Sequence, residues 1–196
     1  MVERLKRTRW IELVAIPILT PGLLAAGHQA CSQQAGIDPA LMARASSGDA
    51  AAQVLVGGSY ADGKGVARNL TQAAEWYRKA ADKGDIGGEI HLAALLRDGG
   101  KDFPRDMVKA AAWYRKAAEQ GDASAQGTLG VLYSMGQGVP QSNVEAYYWL
   151  DLAAAVKGPK QELYAANRQM IGTHITADEL SDIHDREAEW KAAHPR

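Results

Sequence analysis

The chain has 196 residues, of which 46% are apolar and 23% are charged, and its formal net charge at neutral pH is −1. This length and composition suit a globular protein with one hydrophobic core, and they exclude the fibrous and intrinsically disordered classes. The small net charge gives no general attraction to nucleic acid or to anionic membranes. Because Cys31 is the one cysteine, an intramolecular disulfide is excluded.

Residues 1–27 have the features of a secretory signal peptide. The stretch begins with an excess of basic residues, continues with mostly apolar residues at 11–24, and ends with small residues that offer a cleavage site before His28. Glu12 and two prolines interrupt the apolar part, which is also short for a membrane span of about 20 residues. We expect export to the periplasm or secretion, with an uncleaved membrane anchor or a cytoplasmic chain as alternatives.

Residues 28–37 are polar and small, and they are predicted to form a linker. Cys31 lies in this linker, so one hypothesis is a lipid anchor attached at a lipoprotein cleavage site. That hypothesis is disfavoured because His28 stands three positions before the cysteine, where a large aliphatic residue is expected. The favoured interpretation is an unpaired thiol, with no membrane insertion after cleavage of the signal.

Order is predicted to begin at Asp38, an N-cap residue that is followed by Pro39 at the first helical position. The short helix within residues 38–48 is interpreted as an N-terminal capping half-repeat. Such a cap is needed at the end of a helical array, because each repeat buries its apolar face only against its neighbours.

The main pattern is an internal repeat. Residues 73–85 read AAEWYRKAADKGD and residues 110–122 read AAAWYRKAAEQGD, with 10 of 13 positions identical. A looser copy begins at Ala146, and Trp76, Trp113 and Trp149 stand 37 and 36 residues apart, a period typical of stacked helical repeats. In each copy the small and aromatic residues share one helical face, so we predict three "Trp helices" whose tryptophans pack in the core.

A "leading helix" is predicted before each Trp helix. Asp49, Asp85 and Asp122 each follow a glycine at which the preceding helix can end, and each can cap the helix that begins there. Gly-x-Gly turns at residues 63–65 and 136–138 allow the reversal between the two helices of a pair. The three repeats are therefore placed at 49–84, 85–121 and 122–158, and residues 159–196 are interpreted as C-terminal capping helices.

The repeat pattern resembles the Sel1-like repeat, a branch of the tetratricopeptide-like helical repeats. The resemblance rests on Gly-Asp, small-x-x-x-Leu-Gly-x-x-Tyr, Gly-x-Gly-Val and Lys-Ala-x-x-Trp-Tyr-x-Lys-Ala-Ala, and it covers about residues 49–158. The chain departs from the pattern at Leu96, where tyrosine is expected, and at Gly58 inside a leading helix. The resemblance implies an all-α, right-handed superhelical solenoid of antiparallel helix pairs, with the leading helices on the concave side. It also implies adaptor, scaffold or regulatory roles, often in the bacterial envelope.

No pattern in the sequence is typical of catalysis, metal binding or cofactor binding. No two of the five histidines have the spacing of a shared metal site, and the Walker phosphate-binding motif is missing. We expect a non-catalytic protein without metal or cofactor. One alternative is a β-lactam-binding or β-lactam-hydrolysing enzyme, but the family members described in this way are cysteine-rich, and Cys31 alone does not supply their framework. Another alternative is an envelope-anchored structural protein.

Partner contacts are predicted on the leading helices, at positions that lie outside the packing stripe and differ between repeats. Two rows of positions meet these conditions: Leu55, His91 and Thr128 form the first, and Ser59, Leu95 and Leu132 form the second. The leucines of the second row could instead widen the core. We expect another protein or a peptide, and not nucleic acid, to bind along these rows on the concave face.

The signal-peptide interpretation predicts the terminus of the mature protein. Protein recovered from cells should begin near His28 and fractionate with the periplasm, because the small residues at 25–27 provide the cleavage site. N-terminal sequencing of the fractionated protein measures this. An intact Met1 terminus in the cytosol would remove the envelope interpretation.

Overall fold

The computed structural model describes residues 36–195, and within this range the chain forms nine α-helices and no β-strand. The predictions for the signal peptide, most of the linker and Cys31 therefore lie outside the described residues. The helices in chain order are α1 (Pro39–Ser46), α2 (Ala50–Asp62), α3 (Leu70–Ala81), α4 (Ile86–Asp98), α5 (Met107–Glu119), α6 (Ala123–Met135), α7 (Asn143–Ala154), α8 (Gln161–Gly172) and α9 (Ala177–Ala193).

The leading helices α2, α4 and α6 begin where the sequence predicts them. Asp49, Asp85 and Asp122 are their N-caps, and each carboxylate accepts a hydrogen bond from a backbone N–H three residues later, at 2.7 to 3.0 Å. These bonds satisfy N–H groups that have no partner inside the helix. The aspartate positions therefore fix where each repeat starts.

From α1 to α8 each helix packs against the next, α9 packs on α7, and this arrangement makes a helical solenoid. The leading helices α2 and α4 also touch each other, and the leading helix α6 touches the capping helix α8. The predicted all-α solenoid of helix pairs is confirmed. Within residues 36–195 no helix is both long and apolar enough to span a bilayer.

The core consists of the small and aromatic faces of the Trp helices. Trp113 and Trp149 are buried, together with the fully buried alanines of their helices, so the predicted core role of these two residues is confirmed. Trp76 differs because it is only partly buried and packs on a small separate cluster with Val56 and residues of α1. The short α1 covers less of the first repeat than a full helix pair covers of the later repeats.

Glutamine side chains tie α2, α6 and α8 to the end of the helix that precedes each of them. The side-chain amide donates to a backbone carbonyl in the last turn of that helix, where carbonyls lack partners within the helix. The bonds are Gln53 Nε2 to Ala45 O at 3.0 Å, Gln126 Nε2 to Ala118 O at 3.1 Å and Gln161 Nε2 to Ala154 O at 3.0 Å. Because Gln161 begins α8, this helix continues the array although it lacks the sequence signature of the repeat.

The second repeat has Glu89 at the position of the buried glutamine. Its carboxylate accepts a hydrogen bond from Gln120 Nε2 at 2.7 Å, and burial raises the pKa of Glu89 above its ordinary value. An ionised carboxylate cannot donate the bond that Gln53 and Gln126 donate. The joint between α3 and α4 is therefore weaker than the others when Glu89 is charged.

The substitution Glu89→Gln should stabilise the protein near pH 8 by about 0.5–1.5 kcal/mol, the net worth of one hydrogen bond. A folded-state pKa above the unfolded value means that the wild type loses stability as pH rises through the folded pKa. The advantage of the variant should therefore shrink as pH falls toward 4.5, the ordinary value for this carboxyl. Urea unfolding at both pH values measures the difference.

The reverse substitution, Gln126→Glu, is the matched control and should destabilise the protein near pH 8, because it removes the donor to Ala118. A destabilising Glu89→Gln, or a gain that does not change with pH, would contradict the proposed weakness of the second joint.

Truncation of the central tryptophan tests the assignment of the core. Trp113→Ala should lower the free energy of unfolding by about 3–5 kcal/mol, as large core truncations do, because Trp113 is 9% exposed and lies in the main cluster. Trp76→Ala should cost less, since Trp76 is only partly buried. Denaturant unfolding compares the two, and equal midpoints for Trp113→Ala and the wild type would show that the tryptophan face is not core.

Candidate partner-binding groove

A groove of about 550 Å³ runs between α2 and α4, with α3 beneath it and α1 at one end. It brings together four of the six predicted partner-binding residues, namely Leu55 and Ser59 from α2 and His91 and Leu95 from α4. We call it the α2–α4 groove. Its remaining lining residues are Leu41, Val54, Gly58, Ala61, Asp62, Lys64, Tyr77, Ala94 and Asp98.

An aromatic stack forms the base of the groove. Tyr77 of α3 is almost fully buried, and its ring is stacked on His91 with centroids 5.1 Å apart and planes 19° apart. A Cβ atom at Gly57 would lie 2.7 Å from the tyrosine ring, so a larger residue there would displace the ring. Burial raises the pKa of Tyr77 above its ordinary value, which keeps the phenol neutral.

Gly58 is the residue that leaves the groove open. A Cβ atom there would meet only the Tyr77 hydroxyl, at 3.7 Å, so an added side chain would extend into open space above the ring. The equivalent positions are Ala94 in the second repeat and Val131 in the third. This departure from the repeat pattern therefore creates room in the first repeat.

The long wall of the groove is apolar. Leu55 is 57% exposed and Leu95 is partly buried, so both present aliphatic surface to solvent. The Ser59 hydroxyl donates to the backbone carbonyl of Leu55 at 3.1 Å. Because the Ser59 hydroxyl is already bonded within α2, this wall offers mainly apolar contact area to a ligand.

The charged residues at the other end of the groove are paired with close neighbours. Lys64 Nζ lies 2.6 Å from Asp62, and Arg97 Nε lies 2.7 Å from Asp98. The hydrogen bond from Lys64 is the main cause that lowers the pKa of Asp62, and the bond from Arg97 does the same for Asp98. Both carboxyls are therefore ionised at neutral pH and locally neutralised.

The structure separates the two predicted residues of the third repeat from this groove. Thr128 is partly buried, and its hydroxyl donates to the Ser124 carbonyl at 2.8 Å. Leu132 is 2% exposed and belongs to the main core cluster, so the prediction that it contacts a partner is wrong. Leu132 instead widens the core, which is the alternative stated above for the leucines of the second row.

A second groove, of about 530 Å³, lies between α6, α7 and α8. Met135 and Met170 at its edges are exposed, and Val131, Leu150 and Ile171 also line it. Sequence analysis missed this groove because α8 carries no repeat signature.

In residues 36–195 no group of three or more histidine, cysteine, aspartate or glutamate side chains is arranged to hold a metal ion.

Stacked helix pairs with a groove between successive leading helices define the class of protein as an α-helical repeat solenoid. The family profile described as Sel1 repeat matches residues 50–85, 88–122 and 123–155, which together make more than half of the chain. The protein belongs to the Sel1 repeat family.

Two solved structures support the same family. A protective antigen of uropathogenic Escherichia coli strains that displays an SLR fold is 33% identical, with a TM-score of 0.66 over 78% of this chain and 32% of its own. A Sel1 repeat protein from Oxalobacter formigenes is 37% identical, with a TM-score of 0.56 over 59% of this chain and 47% of its own. The chain thus spans about a third and about half of the length of these proteins. No curated protein sequence matches the chain.

Proposed function

We propose that this protein is a non-catalytic interaction module of the bacterial cell envelope, and that it binds a segment of another protein in the α2–α4 groove. The supporting observation is that Leu55, His91 and Leu95, which occupy positions that vary between repeats, surround one open space above Tyr77. Sel1 repeat proteins are generally protein-interaction modules, which supports the coarse assignment.

The groove is proposed to lie on the concave side of the solenoid. The contact between α2 and α4 brings two successive leading helices together. Helices on the inner side of a curved array are the ones that approach one another, and their side chains form a continuous binding surface.

The proposed ligand presents apolar side chains to this surface. The volume of about 550 Å³ is within the usual range for binding pockets and holds a few side chains of a bound segment. Because Asp62 and Asp98 already have cationic partners, charge contributes little net attraction. Burial of Leu55 and Leu95 against the ligand would supply most of the affinity.

The envelope location rests on the signal-like features of residues 1–27. The non-catalytic part rests on the groove, whose carboxylates are held in local ion pairs and whose one imidazole is stacked on a tyrosine. Measurable turnover of a β-lactam reporter by the purified protein would overturn that part.

Capture from envelope extract with matched variants tests the binding site. Leu55→Asp and Val108→Asp each place a carboxylate on an exposed apolar position, since Leu55 is 57% and Val108 on α5 is 68% exposed. Leu55→Asp should reduce retention of specific partners at least about tenfold, the loss expected for a contact worth about 1.4 kcal/mol or more. Val108→Asp should retain them, and quantitative mass spectrometry compares the eluates.

Circular dichroism of both variants checks that the helices are intact. If Val108→Asp loses the partners while Leu55→Asp keeps them, binding occurs on the Trp-helix side and the proposed groove is incorrect.

A further inference from the structure

Side chains of three helices meet near the C-terminal end of the array, at a buried carboxyl beside a partly buried one. Glu187 on α9 is 3% exposed, and it faces Asp151 on α7. Asp151 in turn forms an ion pair with Arg168 of α8. The pair therefore lies where α9 packs on the rest of the solenoid.

When Glu187 is ionised, few neighbouring groups compensate its negative charge. Lys191 Nζ, one turn later on α9, lies 3.1 Å from Glu187 Oε2. The other oxygen, Oε1, is buried and has no hydrogen-bond partner within residues 36–195. A buried carboxylate without full hydrogen bonding is costly, and a second carboxylate beside it adds repulsion.

The protonation state follows from this geometry. Burial is the main cause that raises the pKa of Glu187 to about 7, and hydrogen bonding with Asp151 and its negative charge act in the same direction, while Lys191 opposes them. The other charged or titratable groups on the elements around the pair are Glu119 on α5, Glu145 and Tyr148 on α7, Arg168 on α8 and Arg186 on α9. Arg186 is bound to Glu145 at 2.9 Å and lies over the Tyr148 ring, so it is not free to neutralise Glu187.

We propose that α9 is a proton-controlled latch, docked on α7 while the Asp151–Glu187 pair holds one proton and released when both carboxyls are ionised. With one proton, the Glu187 carboxyl donates to the Asp151 carboxylate and the pair is satisfied. When that proton leaves, the buried Glu187 carboxylate faces the partly buried Asp151 carboxylate, and the two negative charges repel each other. The latch is independent of the partner proposed for the α2–α4 groove.

Release of α9 would uncover apolar surface at the end of the array. Ile183 of α9 is fully buried and belongs to the main core cluster, which also contains Tyr148 and Trp149 of α7. An undocked α9 would leave that face of α7 open to another chain. Proton linkage sets the direction of the pH effect. Because the folded-state pKa of Glu187 is above 4.5, the docked form is favoured at low pH, and this stabilisation is lost as pH rises through about 7.

Hydrogen exchange of the full chain at about pH 5 and pH 8 tests the latch. The measured quantity is the opening constant of backbone amides in α9, corrected for intrinsic exchange, with amides of α4 to α6 as the internal reference. The constant for α9 should rise at least about tenfold between the two pH values, as expected for a carboxyl whose pKa is raised by more than one unit. The reference amides should change much less.

The variant Glu187→Gln should remove this pH dependence, because its amide donates to Asp151 at either pH. The double variant His184→Gln with His194→Gln should keep the dependence, since these imidazoles lie on or next to α9 but do not belong to the pair. A wild-type response that persists in Glu187→Gln, or disappears in the histidine variant, would overturn the proposal.

A second substitution covers the possibility that Glu187→Gln does not fold. Burial is the main cause of the raised pKa of Glu187, and the Asp151 charge adds to it. Because Asp151→Asn removes that charge, the pH at which α9 opens should move to a lower value. An unchanged midpoint in Asp151→Asn would also overturn the latch.

Discussion

The structure depends on the close packing of each Trp helix against the leading helices on either side of it. Alanines such as Ala80 and Ala117 are fully buried at these contacts, and their small side chains let the helix backbones approach closely. Because each face is buried only by a neighbouring repeat, the array needs a cover at both ends. The short α1 provides it at one end, and α8 with α9 provides it at the other.

Features that depend on local spacing could be predicted from the sequence. The aspartate caps, the period of the tryptophans and the core role of Trp113 follow from residues within one helix and its turn. Local spacing leaves open whether Leu132 contacts a partner or widens the core, because its burial depends on how far the core of the third repeat extends. The Asp151–Glu187 pair could not be predicted, since it joins α7 to α9 across a part of the chain that has no repeat signature.

The candidate site arises from variation within a regular scaffold. Positions that pack are nearly constant between repeats, whereas the position of Gly58 holds alanine and then valine in the next two repeats. The absence of a side chain at Gly58 leaves open space beside the Tyr77 hydroxyl, and Leu55 adds exposed apolar surface to the same groove. A glycine inside a helix costs about 1 kcal/mol relative to alanine. Gly58 lies in the groove that contains four of the six predicted contact residues.

Photo-crosslinking in intact cells tests the central claim, that the partner lies in the α2–α4 groove, most directly. A photoreactive side chain would replace Ser59, which lines the groove, and in a separate variant Ala112, which is exposed on the Trp helix α5. The account predicts a discrete crosslinked protein from position 59 and none from position 112. The same adduct from position 112 with none from position 59 would contradict it.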